Sequence, residues 1–175
     1  MLLPKRVTTL LVNNANPILN LARRIVPDSF ENQAVLYVMN RLAKEFIVQG
    51  DLDFMEGKVA RVSIPDIDLH WYFTKQGTQE SGNEKLALIH ESNSQITPDV
   101  EFSGTLEAMV LMASQKVDPD TLFFNRQLHI TGDTELGLEI KNLIDQFDIR
   151  TLHTPIQKLL DAWSSNLLQS KSALN

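Results

Sequence analysis

Apolar side chains recur at helical spacing in several stretches of the chain. Residues three and four apart share one face of a helix, so these stretches are predicted to be amphipathic helices. The predicted helices span 28–47, 105–115, 133–147 and the region from 154 onward. The 105–115 helix is apolar nearly all round, so it must be buried on most sides or line a cavity. Met109 and Met112 are flexible enough for an irregular ligand surface, although without further information core packing is the favoured role of such methionines.

Between the first two helices the pattern changes to alternation, which is typical of strands with one buried face. Val62 and Ile64 alternate with Arg61 and Ser63, for example. The predicted strands span 51–55, 58–64, 69–75, 85–90 and 98–103, with a last one at 127–131. We therefore predict an α+β domain: an antiparallel sheet of about five strands, covered by helices on one face and wet on the other.

The stretch 121–147, TLFFNRQLHITGDTELGLEIKNLIDQF, has the most distinctive local pattern. An aromatic turn that carries Phe123 and Phe124 is followed by a short strand, a sharp break and a helix. Gly132 can turn the chain where other residues would be strained, and Asp133 is a good N-cap for the helix. The apolar stripe of that helix consists of Leu136, Ile140, Leu143, Ile144 and Phe147.

Composition limits the possible classes of function. A length of 175 residues suits one domain, and an apolar fraction of 43% is enough for a core. There is no cysteine, so disulfides, thiol catalysis and Cys-based metal sites are excluded. No apolar run approaches the roughly 18–20 residues of a membrane span. All 22 acidic residues lie in 28–175 with 12 of the 16 basic ones, and this negative body argues against nucleic acid as a partner.

Residues 1–27 form a basic amphipathic segment with four basic residues and no acidic one. Three Asn and Pro17 interrupt its apolar residues, which predicts two short helical pieces joined at a turn. The interruption and the lack of a small-x-small cleavage site argue against a secretory signal. The segment either lies on anionic lipid or covers a second apolar side of the 28–47 helix. On lipid, the contacting residues would be Leu2, Leu3, Lys5, Arg6, Leu10, Leu11, Arg23 and Arg24.

No group of residues in the sequence nominates a catalytic or metal site. The four histidines match no metal-ligand spacing and stand at positions 70, 90, 129 and 153. Two acidic pairs have strand spacing and are expected to be solvated edge charges, namely Asp51/Asp53 and Asp66/Asp68. A nucleophile elbow, a dinucleotide fingerprint and a phosphate-binding loop are all absent from the sequence. We therefore expect no metal, no cofactor and no catalysis.

The stretch 98–140 resembles the sterol carrier protein type 2 family in its strand, apolar helix, aromatic turn and final strand–helix unit. The similarity extends over roughly 30–147. Family members often carry a glycine before the basic residue that follows the Phe pair, whereas this chain has Asn125-Arg126. The resemblance implies a sterol-carrier-type fold with an apolar, lipid-holding cavity between sheet and helices. The lipid contacts that it implies are Leu106, Met109, Val110, Met112, Ala113, Phe123, Phe124, Leu128, Ile130, Leu136, Ile140 and Leu143.

In length and flanks the chain is similar to family members that act as accessory factors in bacterial, oxygen-independent ubiquinone biosynthesis. The similarity implies a non-catalytic protein that holds prenylated quinone precursors, or phospholipid, for the hydroxylating enzymes of the pathway. Such a protein would be cytoplasmic and would contact the inner membrane transiently, and a homo-oligomer is left open.

The sequence leaves two other functions open, a general phospholipid carrier and a protein-interaction scaffold with a filled core. An enzyme is a third and less favoured class, since nothing nominates a nucleophile. The predicted organisation is the N-terminal segment at 1–27, a lipid-binding domain at 28–150, and a C-terminal amphipathic helix and tail at 151–175.

Overall fold

The computed structural model describes residues 28–77, 84–89 and 96–172, and the predicted N-terminal segment lies outside these residues. The helices are α1 (Asp28–Gln49), α2 (Leu106–Ala113), α3 (Pro119–Phe124), α4 (Thr134–Asp145) and α5 (Thr154–Ser172). The strands are β1 (Ala60–Ile64), β2 (Leu69–Gln76), β3 (Lys85–Ile89), β4 (Val100–Gly104) and β5 (Leu128–Gly132). Short 3-10 turns occupy Asp53–Met55, Pro65–Ile67 and Ile149–Thr151.

The five strands form one sheet in the order β3-β2-β1-β4-β5, which confirms the predicted α+β class. The sheet is mixed rather than purely antiparallel, because β1 and β4 run parallel while the other neighbours are antiparallel. Strand β3 lies at one edge of the sheet, whereas β4, the next strand in the chain, pairs with β1. A crossover connection must therefore join β3 to β4.

The strand predicted at 51–55 was wrong, since Asp53–Met55 is a 3-10 turn. Leu52 and Met55 are both buried, with 2% and 3% of their surface exposed. They are three residues apart, and in a 3-10 turn side chains at that spacing lie on the same side. The apolar spacing of this stretch is therefore that of a helical turn and not the alternation of a strand.

The core lies on one face of the sheet, between the strands and the helices. Val100, Leu128 and Leu122 are almost fully buried there. Helix α1 packs against β3, α4 packs on β4 and β5, and α2 packs against α5. The opposite face is largely polar, as the alternation predicted, and carries an ion pair of 3.6 Å between Arg61 Nη1 and Glu101 Oε1.

Helix α1 is attached to the edge of the sheet by one amide side chain. Asn40 Nδ2 donates to Leu86 O at 2.9 Å, and Leu86 N donates to Asn40 Oδ1 at 2.8 Å. The second side of α1 meets the region before α5, where the Tyr37 ring stacks on His153 at 5.9 Å between centroids. Arg41 Nε also donates to Thr151 O at 2.9 Å. The C-terminal region thus covers part of the side that the N-terminal segment would cover under one of its two predicted roles.

The break before α4 has the predicted structure. Gly132 has a φ of 97°, and Asp133 accepts hydrogen bonds at 3.1 Å from the backbone N–H groups of Glu135 and Leu136. The aromatic turn, in contrast, is the helix α3, which begins with Asp118 as N-cap. Where the chain departs from the family pattern, Arg126 adopts a left-handed φ of 58°.

Candidate lipid-binding site

An apolar void of about 70 Å³ lies between the sheet and the helices. Every side chain that lines it is apolar, and the lining comes from helices, strands and a 3-10 turn. The lining residues are Met39, Leu52, Met55, Ala60, Val62, Phe73, Leu86, Phe102, Met109, Met112, Ile140, Leu143, Ile144 and Phe147. An apolar cavity of this kind stays dry, so its natural occupant is an apolar group.

Methionine is concentrated around the void. Four of the five methionines of the chain line it: Met39 from α1, Met55 from the 3-10 turn, and Met109 and Met112 from α2. The unbranched thioether side chain has three rotatable bonds and adapts to irregular shapes. Each wall that carries a methionine can therefore change shape without displacing the backbone.

The void is smaller than a lipid site must be. Sites that enclose a drug-sized ligand have volumes of about 300–1,000 Å³, whereas this void measures about 70 Å³. A lipid therefore fits only when the lining opens. Four lining residues are only partly buried, so the lining approaches solvent at more than one place. They are Met39, Val62, Met112 and Ile144.

The structure divides the twelve predicted lipid contacts into three groups. Met109, Met112, Ile140 and Leu143 line the void. A second group belongs to the surrounding core without reaching the void, namely Leu106, Val110, Leu128, Ile130 and Leu136. The remaining three lie at the surface, namely Ala113, Phe123 and Phe124.

The surface positions follow from short elements that bury one side. In α3 the buried residues are Pro119 and Leu122, three positions apart. Phe123 and Phe124 occupy the next positions around the helix and are 43% and 78% exposed. Ala113 is the last residue of α2, beyond the buried run of that helix. These three residues therefore do not line the void.

Most of the lining was not identified from the sequence as lipid-contacting. It includes Ala60 and Val62 from β1, Phe73 from β2, Leu86 from β3 and Phe102 from β4. These residues occupy the apolar positions of alternating strands, which the pattern assigned only to a general core. Methionine occurs in α1, in the 3-10 turn and in α2, and all three elements contribute to the lining. The positions of the methionines were the one available signal for these elements.

Charged groups lie beside one end of the void. Lys75 is the cross-strand partner of Leu86, and its side chain is only 5% exposed. Its Nζ lies 2.5 Å from Asp53 Oδ1 and 2.6 Å from Glu84 Oε1. The hydrogen bond to Asp53 is the largest cause that raises the pKa of Lys75 above its usual value, followed by the bond to Glu84. This ion cluster fixes the edge of the sheet next to an apolar lining.

A second depression, of about 570 Å³, is open to solvent and is lined mainly by polar and charged residues. It is lined in part by Ser103 and His129, which are cross-strand partners on β4 and β5. Asp66, in the same wall, accepts from Leu106 N at 3.0 Å. Among the described residues no group of three or more acidic or His side chains is arranged to hold a metal ion, and His90 lies outside them.

Comparisons with known proteins agree with this fold. Residues 39–145 match the model of the SCP-2 sterol transfer family. The chain is 32% identical to the ubiquinone biosynthesis accessory factor UbiT of Escherichia coli strain K12 and of E. coli O157:H7, over 143 residues, 82% of this chain and 76% of each relative. Among solved structures, the UbiJ-SCP2 ubiquinone synthesis protein is similar in fold, with a TM-score of 0.51 and 13% identity, covering 69% of this chain and 93% of that one.

Proposed function

Because the chain belongs to the SCP-2 sterol transfer family, we propose that it binds prenylated ubiquinone precursors and presents them to the hydroxylating enzymes of oxygen-independent ubiquinone biosynthesis. The observation that carries the proposal is the wholly apolar, methionine-rich void between sheet and helices. The identity of 32% to an accessory factor of ubiquinone biosynthesis supports the choice of pathway.

The chemistry of the ligand explains why such a pathway needs a carrier. Each methylene group that is kept in water costs about 0.8 kcal/mol, so a prenyl tail of many carbons is effectively insoluble. A protein that covers the ring and part of the tail lowers this cost while the enzymes of the pathway act on the ring. The methionines of α1, α2 and the 3-10 turn supply a lining that can open around the tail.

The membrane would supply and receive the ligand. Within the described residues no helix is long and apolar enough to cross a membrane. We assign membrane contact to the basic segment 1–27, which carries apolar residues and four cations without an acid. The protein would therefore act at the inner membrane from its cytoplasmic side, by transient contact.

A protein-interaction scaffold with a filled core is the second candidate function, and the small volume of the void favours it. If the lining does not open, the protein acts as a scaffold that joins other proteins and carries no lipid. A general phospholipid carrier differs from both, since it would hold phospholipid in preference to quinone precursors. Organic extraction of the purified protein, followed by mass spectrometry of the extract, separates the three outcomes.

The proposal assigns no catalytic residue. Polar side chains line the open depression, but Asp66 there accepts from the first backbone N–H of α2 and so stabilises the end of that helix. Ser103→Ala and His129→Ala are accordingly expected to leave the function of the protein unchanged.

The test of the function is the ubiquinone content of cells that lack this gene. Cells grown without oxygen should lose most of their ubiquinone and accumulate a prenylated precursor, whereas cells grown with oxygen should keep it. The wild-type gene should restore the content, and so should the genes with Ser103→Ala and His129→Ala. An unchanged ubiquinone content without oxygen would contradict the proposed pathway.

A further inference from the structure

Two buried side-chain nitrogen atoms in the described part of the chain have no hydrogen-bond partner, Arg61 Nε and Trp71 Nε1. The guanidinium group of Arg61 still forms an ion pair with Glu101. The indole of Trp71 has no such partner. A buried donor without an acceptor disfavours the folded state and calls for an explanation.

The position of Trp71 connects this donor with the void. Trp71 lies on the core-facing side of β2, directly opposite Val62 of β1. Phe73 is two residues further along the same strand and therefore on the same face. Both Val62 and Phe73 line the void, and Trp71 itself packs against the core. Trp71 does not itself line the void, but the residue that carries the unpaired N–H group is a direct neighbour of two side chains that do.

We propose that Trp71 Nε1–H is the hydrogen-bond donor for an uncharged oxygen atom on the polar end of the bound lipid. This inference rests on the proposed function, since it requires that the lining opens around a lipid. A ring carbonyl of a quinone or an ester carbonyl of a phospholipid has the required chemistry. The site discriminates against a charged group, because burial of a charge among apolar side chains is costly.

The role proposed for Trp71 differs from that of the methionines in the lining. Apolar side chains around the tail bind any chain of suitable length, so they give affinity with little selectivity. A single buried donor rejects ligands that have no oxygen to pair with it, because the donor then stays unsatisfied. Trp71 would therefore fix the orientation of the ligand, with its oxygen near the middle of β2.

The two tryptophans of the chain provide a matched pair of variants. Trp71→Phe removes the N–H group and keeps an aromatic ring. Trp163→Phe makes the same chemical change in α5, where the side chain is also partly buried and packs against the core. Both variants are made in the full chain, and a thermal melt of each reports the loss of packing.

Three probes are titrated into each protein: a short-chain ubiquinone, a hydrocarbon with the same tail on a ring without oxygen, and a phospholipid. We expect Trp71→Phe to weaken ubiquinone binding about 3- to 10-fold, as the loss of one hydrogen bond does, and to change hydrocarbon binding less than about twofold. Trp163→Phe should change neither. Selective weakening of phospholipid alone would support the donor role with an ester carbonyl as the acceptor.

Equal weakening of ubiquinone and hydrocarbon would overturn the inference, because Trp71 would then act by packing alone. Unchanged binding of every oxygen-containing probe would overturn it as well. If the unmodified protein binds no probe, the proposed function itself fails, which is a distinguishable result.

A second measurement leaves Trp71 intact and does not depend on the folding of its variant. In the Trp163→Phe protein, Trp71 supplies the only indole N–H resonance in an NMR spectrum. Ubiquinone should shift the proton of this resonance downfield, as a new hydrogen bond does, and the oxygen-free hydrocarbon should not. Equal shifts with both probes would overturn the inference.

Discussion

Two glycines show how single residues set the geometry around the site. Gly132 ends β5 with a φ of 97°, and a Cβ atom there would lie 2.3 Å from the backbone oxygen of Asp99. Gly57 precedes β1 with a φ of 68°, and a Cβ atom there would meet nothing within 4 Å. The positive φ at both positions would strain any residue with a side chain, but only at Gly132 is there also no space for a Cβ atom.

Gly132→Ala and Gly57→Ala should therefore destabilise the protein by different amounts. The left-handed backbone alone costs an L-residue about 1–2 kcal/mol, which is the loss in unfolding free energy that we expect for Gly57→Ala. Gly132→Ala should lose clearly more, since a backbone atom blocks the new methyl group and cannot rotate away. Urea unfolding of both variants measures the difference, and equal losses would contradict the close contact with Asp99.

Local residue chemistry was predictable from the sequence, whereas burial of single polar atoms was not. Gly132 and Asp133 were identified because a turn and an N-cap depend on neighbours in the chain. The unpaired indole of Trp71 depends on what surrounds it in three dimensions, which local alternation does not encode. The left-handed conformation at Arg126 likewise became visible only in the structure.

At the scale of elements, the helices α1, α2, α4 and α5 were predicted because their apolar periods are long or their caps are clear. The types of the shorter elements were not predicted correctly. The 3-10 turn at Asp53–Met55 was predicted as a strand, and α3 was predicted as a turn, because three to six residues contain too little of a period. The parallel pairing of β1 with β4 depends on contacts across about 40 residues of chain, which local patterns do not encode.

The N-terminal segment is the element whose role is still a proposal. Each cation near an anionic membrane contributes about 1 kcal/mol, so the four cations of residues 1–27 contribute up to about 4 kcal/mol at low salt. Deletion of residues 1–26 should therefore weaken flotation with anionic vesicles and leave the thermal melt nearly unchanged. Flotation of the full chain should also fall as salt rises.

A variant with fewer charges separates the insertion of apolar side chains into the membrane from the attraction of cations to anionic lipid. Arg23→Gln with Arg24→Gln keeps the apolar residues of the segment and removes two cations, so it should float to an intermediate extent. Equal flotation of the full and truncated chains, together with a strongly lowered melting temperature of the truncated chain, would show that the segment is structural.

At the scale of the whole molecule, the candidate site is formed by elements that are far apart in the sequence. Its lining is drawn from α1, the 3-10 turn at Asp53–Met55, four strands, α2, α4 and the residues just after α4. The sequence and its family resemblance predicted a cavity at the α2–α4 side of the sheet and identified four lining residues. The strand contributions were unpredictable, because which apolar strand residues face a void depends on how well the helices above them fit.

The central claim is that the void opens to hold a lipid, and two buried alanines test it. Ala60 lines the void from β1, and Ala87 is comparably buried on the other face of the sheet, in β3. Leucine adds three carbon atoms at either position. At Ala60 these atoms fill a void of about 70 Å³, whereas at Ala87 they overpack a region without it.

The most direct measurement is the molar amount of lipid extracted from purified wild-type protein, Ala60→Leu and Ala87→Leu, determined by mass spectrometry. We expect prenylated quinone precursors in the wild-type extract, a much smaller amount from Ala60→Leu and a wild-type amount from Ala87→Leu. The Ala60→Leu protein should remain folded in a thermal melt. A full lipid load on folded Ala60→Leu, or no lipid on the wild-type protein, would contradict the account.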